Sequence, residues 1–585
     1  MINDTLLTNY LTITTPVELY AVQLPMGNQG ENLPNWQVHF NRLSYSEMYL
    51  EYQSVVNQLI HAQLDEKTRL ALMNSVFKVT SPLFGSLKQT YHNATGFLDE
   101  EQQQALDMVL SAYYLAMMFY HSVWQRVAVQ PIVEHKKGLA SLLGRPSETL
   151  NDKIIQKCLH YMMSLLREAL YEKYLGYRKD INVIWHYLNA CYRLVAVNGW
   201  QNYQPSSSSL YAGKTLPKLH QIYSQCLLAH IINPYNCRRP DLIEIRAKSL
   251  LWSDQLIVTP EQATRPFLFV NLLGDEPPQL QHVGLNFNPF AKDSDCVFLN
   301  VEPLMTRLAQ LVAKEPASQD SAAKMAIRNA KIALNNIKTT IEPPTQFEDK
   351  QTNCQAVVGF QQIHYMLANR SSLNNLIQAQ TLPERLRPRN VTNQQLNKST
   401  TVLLVGTTPT ARQLTHTFSY EPATVIHHSQ HKRSTEFHAI SQLQVQSLIA
   451  IRQSDDPTKQ WQIGRITKIQ QSPMPSADNP KLRRQAPTIN LTIEAWVQLF
   501  GANVVPCGVR LQNDGSRPAY FMPALIIPKD QTFQREKTSL MMARFGYNVN
   551  DKLILRIDAK EVTICLTELL NLTDDVEEYA FARLQ

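Results

Sequence analysis

Apolar residues recur at three- and four-residue steps through "NDKIIQKCLHYMMSLLREALYEKYLGYR". Ile154, Ile155, Cys158, Met162, Leu165, Leu166 and Leu170 there line one face of an amphipathic helix. The stretches "LDEEQQQALDMVLSAYYLAMMFYHSVWQR" and "DINVIWHYLNACYRLVAVNGW" share the habit, and the first opens on carboxylates, which the helix dipole favours at an N-terminus. Residues 45–250 therefore read as an all-α territory, preceded over 1–40 by short extended segments rich in Thr and Pro. Its helical pairs lack the constant spacing of a tetratricopeptide solenoid.

From about residue 255 the texture changes. "RPFLFVNLLGDEPP" and "DCVFLNVEPLMTRLAQLVAKE" read as buried strands, the second running into a helix, and "QAVVGFQQIHYMLANR" reads as a further helix. Beyond Pro388 the pattern becomes β-rich. The runs "EFHAI", "QSLIAIRQ", "WQIGRITKI", "TINLTIEAWVQL", "VVPCGVRL", "AYFMPALIIP", "LILRI" and "VTICLTEL" are separated by turn chemistry, which predicts a small antiparallel barrel with an added sheet. Trp461 and Trp496 sit in alternating patterns and are expected in its core. The Pro- and Ser-rich "QQSPMPSADNPKLRRQAP" is expected as an exposed hairpin loop. The fold class is multidomain α+β: a mainly helical domain over 1–250, an α+β module with a connecting helix over 251–395, and a β-rich domain over 396–585.

Charge adds a localised feature. The net charge is +7, yet the segment from Ile377 to Gln485 alone holds 14 Lys or Arg against 6 Asp or Glu. A positive field confined to one region suits an anionic partner. Eight cysteines lie scattered without a CxxC pair, as expected of buried thiols in a reducing compartment. The N-terminus lacks a basic leader and apolar core, so cytoplasmic residence is expected. The most apolar helical run, "SAYYLAMMFYHSVW", is too short to insert in a membrane.

Several chemistries are set aside on residue type. The "GKT" at 213–215 has Ser208 where a phosphate-binding loop needs glycine, and no nucleophile elbow, dinucleotide fingerprint or paired carboxylates stand out, so an enzyme is not expected. His427, His428 and His431 in "HHSQHKRSTEFHAI" have no neighbouring cysteine or HExxH carboxylate, so no metal is assigned. Aromatics are sparse through the basic segment, with only Phe418 and Tyr420 between Arg385 and Arg433, which argues against nucleic acid.

The order "QVQSLIAIRQ", "WQIGRITKI", "VVPCGVRL" and "PALIIP" resembles PilZ-type domains in a group of large bacterial proteins with a helical N-terminal half, and "FLFVNLLGDEPP" and "CQAVVGFQQIHYML" are similar to segments of that group. The resemblance spans about 260–585. It implies an antiparallel PilZ-like β-barrel with additional strands that takes cyclic di-GMP through an RxxxR segment and a [DN]xSxxG turn. Arginine can stack on guanine, fork onto O6 and N7, and neutralise phosphate, while a glycine admits close backbone approach.

In "RLRPR", Arg385 and Arg389 have the RxxxR spacing, with Arg387 between them. By position, "KRSTEF" stands for the second motif: Ser434 matches, Lys432 replaces the acid or amide, and Phe437 replaces the glycine. A second register, "NKSTTV", keeps Asn397 and Ser399 and puts Val402 at the glycine position. The resemblance thus implies a ligand site of Arg385, Arg389, Lys432, Arg433 and Ser434, closed by Arg465 and by Arg483 and Arg484. The function it implies is a non-enzymatic bacterial regulatory protein with cyclic di-GMP as ligand, no other cofactor, and protein partners on the helical half. The changes at Lys432 and Phe437 motivate a rival, an interaction scaffold that has lost the nucleotide.

Overall fold

The computed structural model describes the chain except residues 1, 13–14, 130–149, 207–215, 262–267, 282–284, 292, 314–320, 342–350, 389–401, 408–414, 421–442, 454–459, 474–490, 513–519 and 585. The chain divides into two compact units, one of Met1–Ala94 with Leu98–Pro344, the other of Thr95–Phe97 with Thr345–Gln585.

The first unit is built on helices α1 (Asp4–Leu11), α2 (Leu33–Phe40), α3 (Tyr45–His61), α4 (Glu66–His92), α5 (Glu100–Val129), α6 (Leu150–Leu175), α7 (Asn182–Val197), α8 (Leu219–Ile231) and α9 (Arg239–Ser253). The helical reading holds, and α6 buries every residue of its expected face except Ile155. The extended reading of residues 1–40 is corrected. Asn3 caps α1 by accepting from the Leu6 amide, and Pro34 starts α2, where its missing N–H costs nothing. Helix α3 carries a capping box between Ser44 and Glu47, and Asp65 caps α4 through the amides of Lys67 and Thr68.

Charge is sealed inside this unit. Glu172 on α6 takes Lys88 at 2.7 Å, Arg246 of α9 at 3.0 Å and the Tyr91 hydroxyl at 2.7 Å, while Glu168 one turn earlier takes Arg246 and, at 2.8 Å, Arg167. Burial alone would raise the Glu168 carboxyl, but Arg246, Arg167 and Lys88 outweigh it and bring it down to about 2. A small antiparallel sheet of β1 (Ile257–Thr259), β2 (Leu268–Asn271), β3 (Gln279–Leu280) and β4 (Cys296–Asn300) follows in the order β1-β4-β2-β3, and then α10 (Glu302–Val312) and α11 (Ser321–Thr340). The strands read from "FLFV" and "CVFLN" are β2 and β4.

The second unit contains two closed six-stranded barrels. The first orders β5 (Gln351–Val358), β6 (Val402–Thr407), β7 (Thr415–Tyr420), β8 (Leu448–Gln453), β9 (Gln462–Pro473) and β10 (Leu491–Ala502) as β10-β7-β6-β5-β8-β9. The second orders β11 (Val505–Leu511), β12 (Met522–Ile527), β13 (Ser539–Ala543), β14 (Lys552–Ile557), β15 (Lys560–Leu572) and β16 (Val576–Arg583) as β11-β12-β13-β16-β15-β14. All pairings are antiparallel. The strands expected beyond one barrel thus close into another. Of the four runs that carry the family resemblance, "QSLIAIRQ" and "WQIGRITKI" belong to the first barrel, and "VVPCGVRL" and "PALIIP" to the second.

The helix expected over "QAVVGFQQIHYML" begins as strand β5. The chain leaves the strand at Gly359, whose φ of 94° suits glycine, and only then forms α12 (Phe360–Leu367). The barrels share a core: Val357, Phe360, Ile363, Leu448, Ala450 and Ile463 pack with Leu525, Ile527, Met541 and Val576. Gly501 permits the approach, since a Cβ there would meet Ile527 Cγ2 at 2.7 Å. His364 of α12 is buried at this joint with Nε2 3.0 Å from the Cys507 carbonyl, and burial lowers its pKa to about 4.

Candidate functional site

The arginine-bearing segment is fixed to the second barrel. After α12 the chain forms the short helix α13 (Leu373–Leu376) and two 3-10 turns, Ala379–Thr381 and Glu384–Leu386. Its apolar residues Leu373, Leu376, Ile377, Ala379, Leu382 and Leu386 pack with Phe521 and Ile554. Alternation along β11 explains the seat. Cys507, Val509 and Leu511 point into the barrel, so Gly508 and Arg510 lie on the outer face. A Cβ on Gly508 would meet Ile377 Cγ2 at 2.8 Å, so only glycine lets the segment lie this close.

Polar contacts complete the clasp. Arg556, opposite Gly508 on β14 and only 5% exposed, donates Nε to the Ile377 carbonyl at 2.7 Å, Nη2 to Thr381 Oγ1 at 2.5 Å and Nη1 to Glu561 at 2.7 Å. The Asp558 amide donates to the Leu376 carbonyl at 2.9 Å, and the Phe521 amide to the Leu386 carbonyl at 3.1 Å. The last contact stands at the second residue of "RLRPR". Arg385 and Arg387, on either side of Leu386, are exposed, and Arg387 Nε also donates to the Leu382 carbonyl at 3.0 Å. The ring of Phe521, 1% exposed, lies under the Arg510 guanidinium at 5.4 Å.

Of the residues expected in the site, Arg385 is on this clasp, and Arg465 is on β9 of the first barrel, paired with Leu448 and Gln498. Arg389, Lys432, Arg433, Ser434, Arg483 and Arg484 lie outside the described residues, as does the whole of "HHSQHKRSTEFHAI". Trp461 and Trp496, expected in the core, are both half-buried under cations, with Arg452 4.8 Å and Lys468 4.3 Å from their ring centroids.

Arg510, Gly508 and Arg556 were missed from the sequence, and so was a motif in the hairpin. Asp514, Gly515, Ser516, Arg517, Pro518 and Ala519 read D-G-S-R-P-A, the [DN]xSxxG spacing with alanine in place of the final glycine. These residues lie outside the described ones; of the chain on either side, Phe521 packs in the clasp and Leu511 in the barrel core. The signal was present in the sequence: the stretch departs from the motif at one small residue where "KRSTEF" departs at two large ones. Among the described residues no cluster of His, Cys, Asp and Glu could hold a metal ion, and no helix is long and apolar enough to cross a membrane.

Comparison with known families bears on both units. The family model of the N-terminal domain of the cyclic-di-GMP receptor FimW matches residues 33–262, and that of the FimW C-terminal β-barrel domain matches 507–584. Together they take in more than half of the chain. The chain belongs to the FimW family. The FimW matches cover the helical core α2–α9 and nearly all of the second barrel, while the first barrel lies between them. Membership of this receptor family agrees with the cyclic-di-GMP receptor resemblance read from the sequence. No curated protein and no solved structure matches the chain.

Proposed function

We propose that this chain is a regulatory receptor that binds cyclic di-GMP at the arginine-bearing segment clasped on the second barrel. Its occupancy then controls protein partners held by the helical unit, in the bacterial cytoplasm and without bond-making chemistry. The observation that carries the reading is the hydrogen bond from the Phe521 amide to the Leu386 carbonyl. It seats Arg385 and Arg387 on the barrel that the receptor family model matches.

The chemistry fits the ligand. Cyclic di-GMP carries two phosphate charges and two guanines. Arg385, Arg387 and Arg389 offer permanently charged planar groups to both, and Asp514 and Ser516 of the D-G-S-R-P-A stretch offer acceptors and a hydroxyl donor. Ala519 is small enough to keep the turn near the ligand where a ring such as Phe437 would stand in the way. A ligand that prefers one packing of the second unit would bias it toward that packing. Lys432, Arg433 and Ser434, with Arg465, Arg483 and Arg484, are the other residues that the family resemblance assigns to the same ligand.

Isothermal titration of the full chain at physiological salt, with GTP as control, tests the reading. Arg385→Ala with Arg389→Ala should weaken cyclic di-GMP binding by about a hundredfold or more, as expected for loss of two charge-assisted contacts. Lys432→Ala with Arg433→Ala should leave it unchanged. The reverse pattern would move the site to the first barrel, and saturation absent from the parent protein would favour the scaffold.

A further inference from the structure

Helix α11 presents a face of one charge sign only. Over Ser321–Thr340 it carries Lys324, Arg328, Lys331 and Lys338 and no Asp or Glu. Its apolar side is used inside the unit: Ala330, Ala333, Leu334 and Ile337 are buried where the helix packs on α8, α9 and α10. The cations stand away from that side at steps of four, three and seven residues, with the exposed Asn335 inside the last step, and they make one stripe about 21 Å long. Arg328 has a carboxylate, Asp241 of α9, at 3.1 Å; among the described residues no acid pairs with Lys324, Lys331 or Lys338, all three exposed. The arrangement costs the helix stability. Lys324 with Arg328, and Arg328 with Lys331, are like-charge neighbours at i,i+4 and i,i+3, where opposite charges would have supported the helix. A face that only had to stay solvated would be served better by both signs interspersed.

We propose that this stripe is a docking surface for an acidic α-helix of a protein partner. The spacing selects a helix. Lys324, Lys331 and Lys338 recur every seventh residue, a period that keeps side chains in line along the contact between two helices, so carboxylates at the same period on a second helix meet each ammonium in turn. A lipid surface fits less well, because the apolar side of α11 is already buried and Met325 is its one large apolar side chain left exposed. Nucleic acid fits less well too, because the helix has no aromatic ring on which a base could stack. The inference rests on the reading above for the existence of protein partners at the helical unit, and gives them a surface and a chemistry.

The test is fluorescence anisotropy of a labelled alanine-based helix of about 20 residues, with glutamates at alternating four- and three-residue steps, titrated with the full chain without nucleotide. The parent should bind it, more weakly as salt rises. Lys324→Gln with Lys331→Gln and Lys338→Gln should lose about tenfold in affinity, as expected for three exposed ion pairs, and the same three positions changed to Arg should bind like the parent. A control with equal loss of charge, Lys67→Gln with Lys78→Gln on α4 and Lys153→Gln on α6, all exposed, should also bind like the parent. No binding by the parent, or unaltered binding by the stripe variant, overturns the proposal. Equal weakening in the control overturns it as well, because net charge alone would behave that way. So does equal affinity for a peptide of the same composition with its glutamates spread around the helix. Tighter binding to phosphatidylserine vesicles or to a DNA duplex, lost in the stripe variant, would replace the acidic helix with that partner. A failure here leaves the cyclic di-GMP site standing, since no nucleotide enters the measurement.

Discussion

The two barrels of the second unit have the same strand number, the same closure and the same antiparallel pairing, yet they differ in what covers them. The second wears a segment of earlier chain on its outer face, held by Arg556, Gly508 and Phe521. The first shows half-buried tryptophans topped by cations. The contrast teaches that closure alone does not make a site. One glycine and one buried arginine on an outer face turn a generic barrel into a platform that fixes an arginine motif.

The sharpest way to break the contrast is to release the clasp. Arg556→Ala removes three hydrogen bonds from a buried guanidinium and should cost about 3 kcal/mol, seen as an earlier denaturant midpoint for the second unit. It should also weaken cyclic di-GMP binding although Arg556 need not touch the ligand. Gly508→Val drives a side chain into Ile377 and should cost about 2 kcal/mol, with protease cleavage appearing between Ser371 and Pro388.

Acid sharpens the comparison at the joint between the barrels. His364 is neutral in the folded protein because burial lowers its pKa to about 4 from 6.5, so the unfolded chain takes up a proton that the folded one refuses. Stability from this group is complete above pH 6.5 and falls by about 1.4 kcal/mol for each pH unit from there toward 4. Glu168 in the helical unit, held near 2, loses its contribution only as pH drops below its ordinary 4.5. Burial lowers His121 and His160 of the helical unit to about 4 in the same way, so calorimetry from pH 7.5 to 5 should show both transitions moving down, the helical one further, and His364→Gln should flatten the dependence of the barrel transition alone. The smallest effect is expected on the first barrel, where Lys468→Gln removes a cation from Trp496 and should cost about 0.5–1 kcal/mol without changing nucleotide affinity.

The helical half was legible because its apolar stripes are long and its caps stand in the sequence, as at Ser44 and Glu47. The barrels were legible only where strands alternate. Strand β16 was missed because Glu577 and Glu578 sit mid-strand and yet are buried. Glu577 accepts from the amides of Phe545, Gly546 and Tyr547, and Glu578 binds Arg535 and Ser539. A pattern that counts carboxylates as outward cannot see partners thirty residues away. Strand β13, "SLMMA", lacks β-branched residues, and β5 ran on into a helix through Gly359. For the site, the RxxxR spacing was visible in the sequence, but its seat was not. The contact between Leu386 and Phe521 joins positions 135 residues apart that no local pattern links.

The path of the chain has a consequence for the order in which this protein can mature. It leaves the first barrel after β5, is clasped on the second barrel, and returns for β6, although every strand of that second barrel is synthesised later. On the ribosome the segment must wait without its seat until nearly the whole protein has emerged. Its docking is then a late, non-local event, slow by the usual dependence of folding rate on sequence separation. The segment bearing Arg385 and Arg387 therefore comes into register only in a finished molecule, and a truncated or stalled chain carries it without its seat.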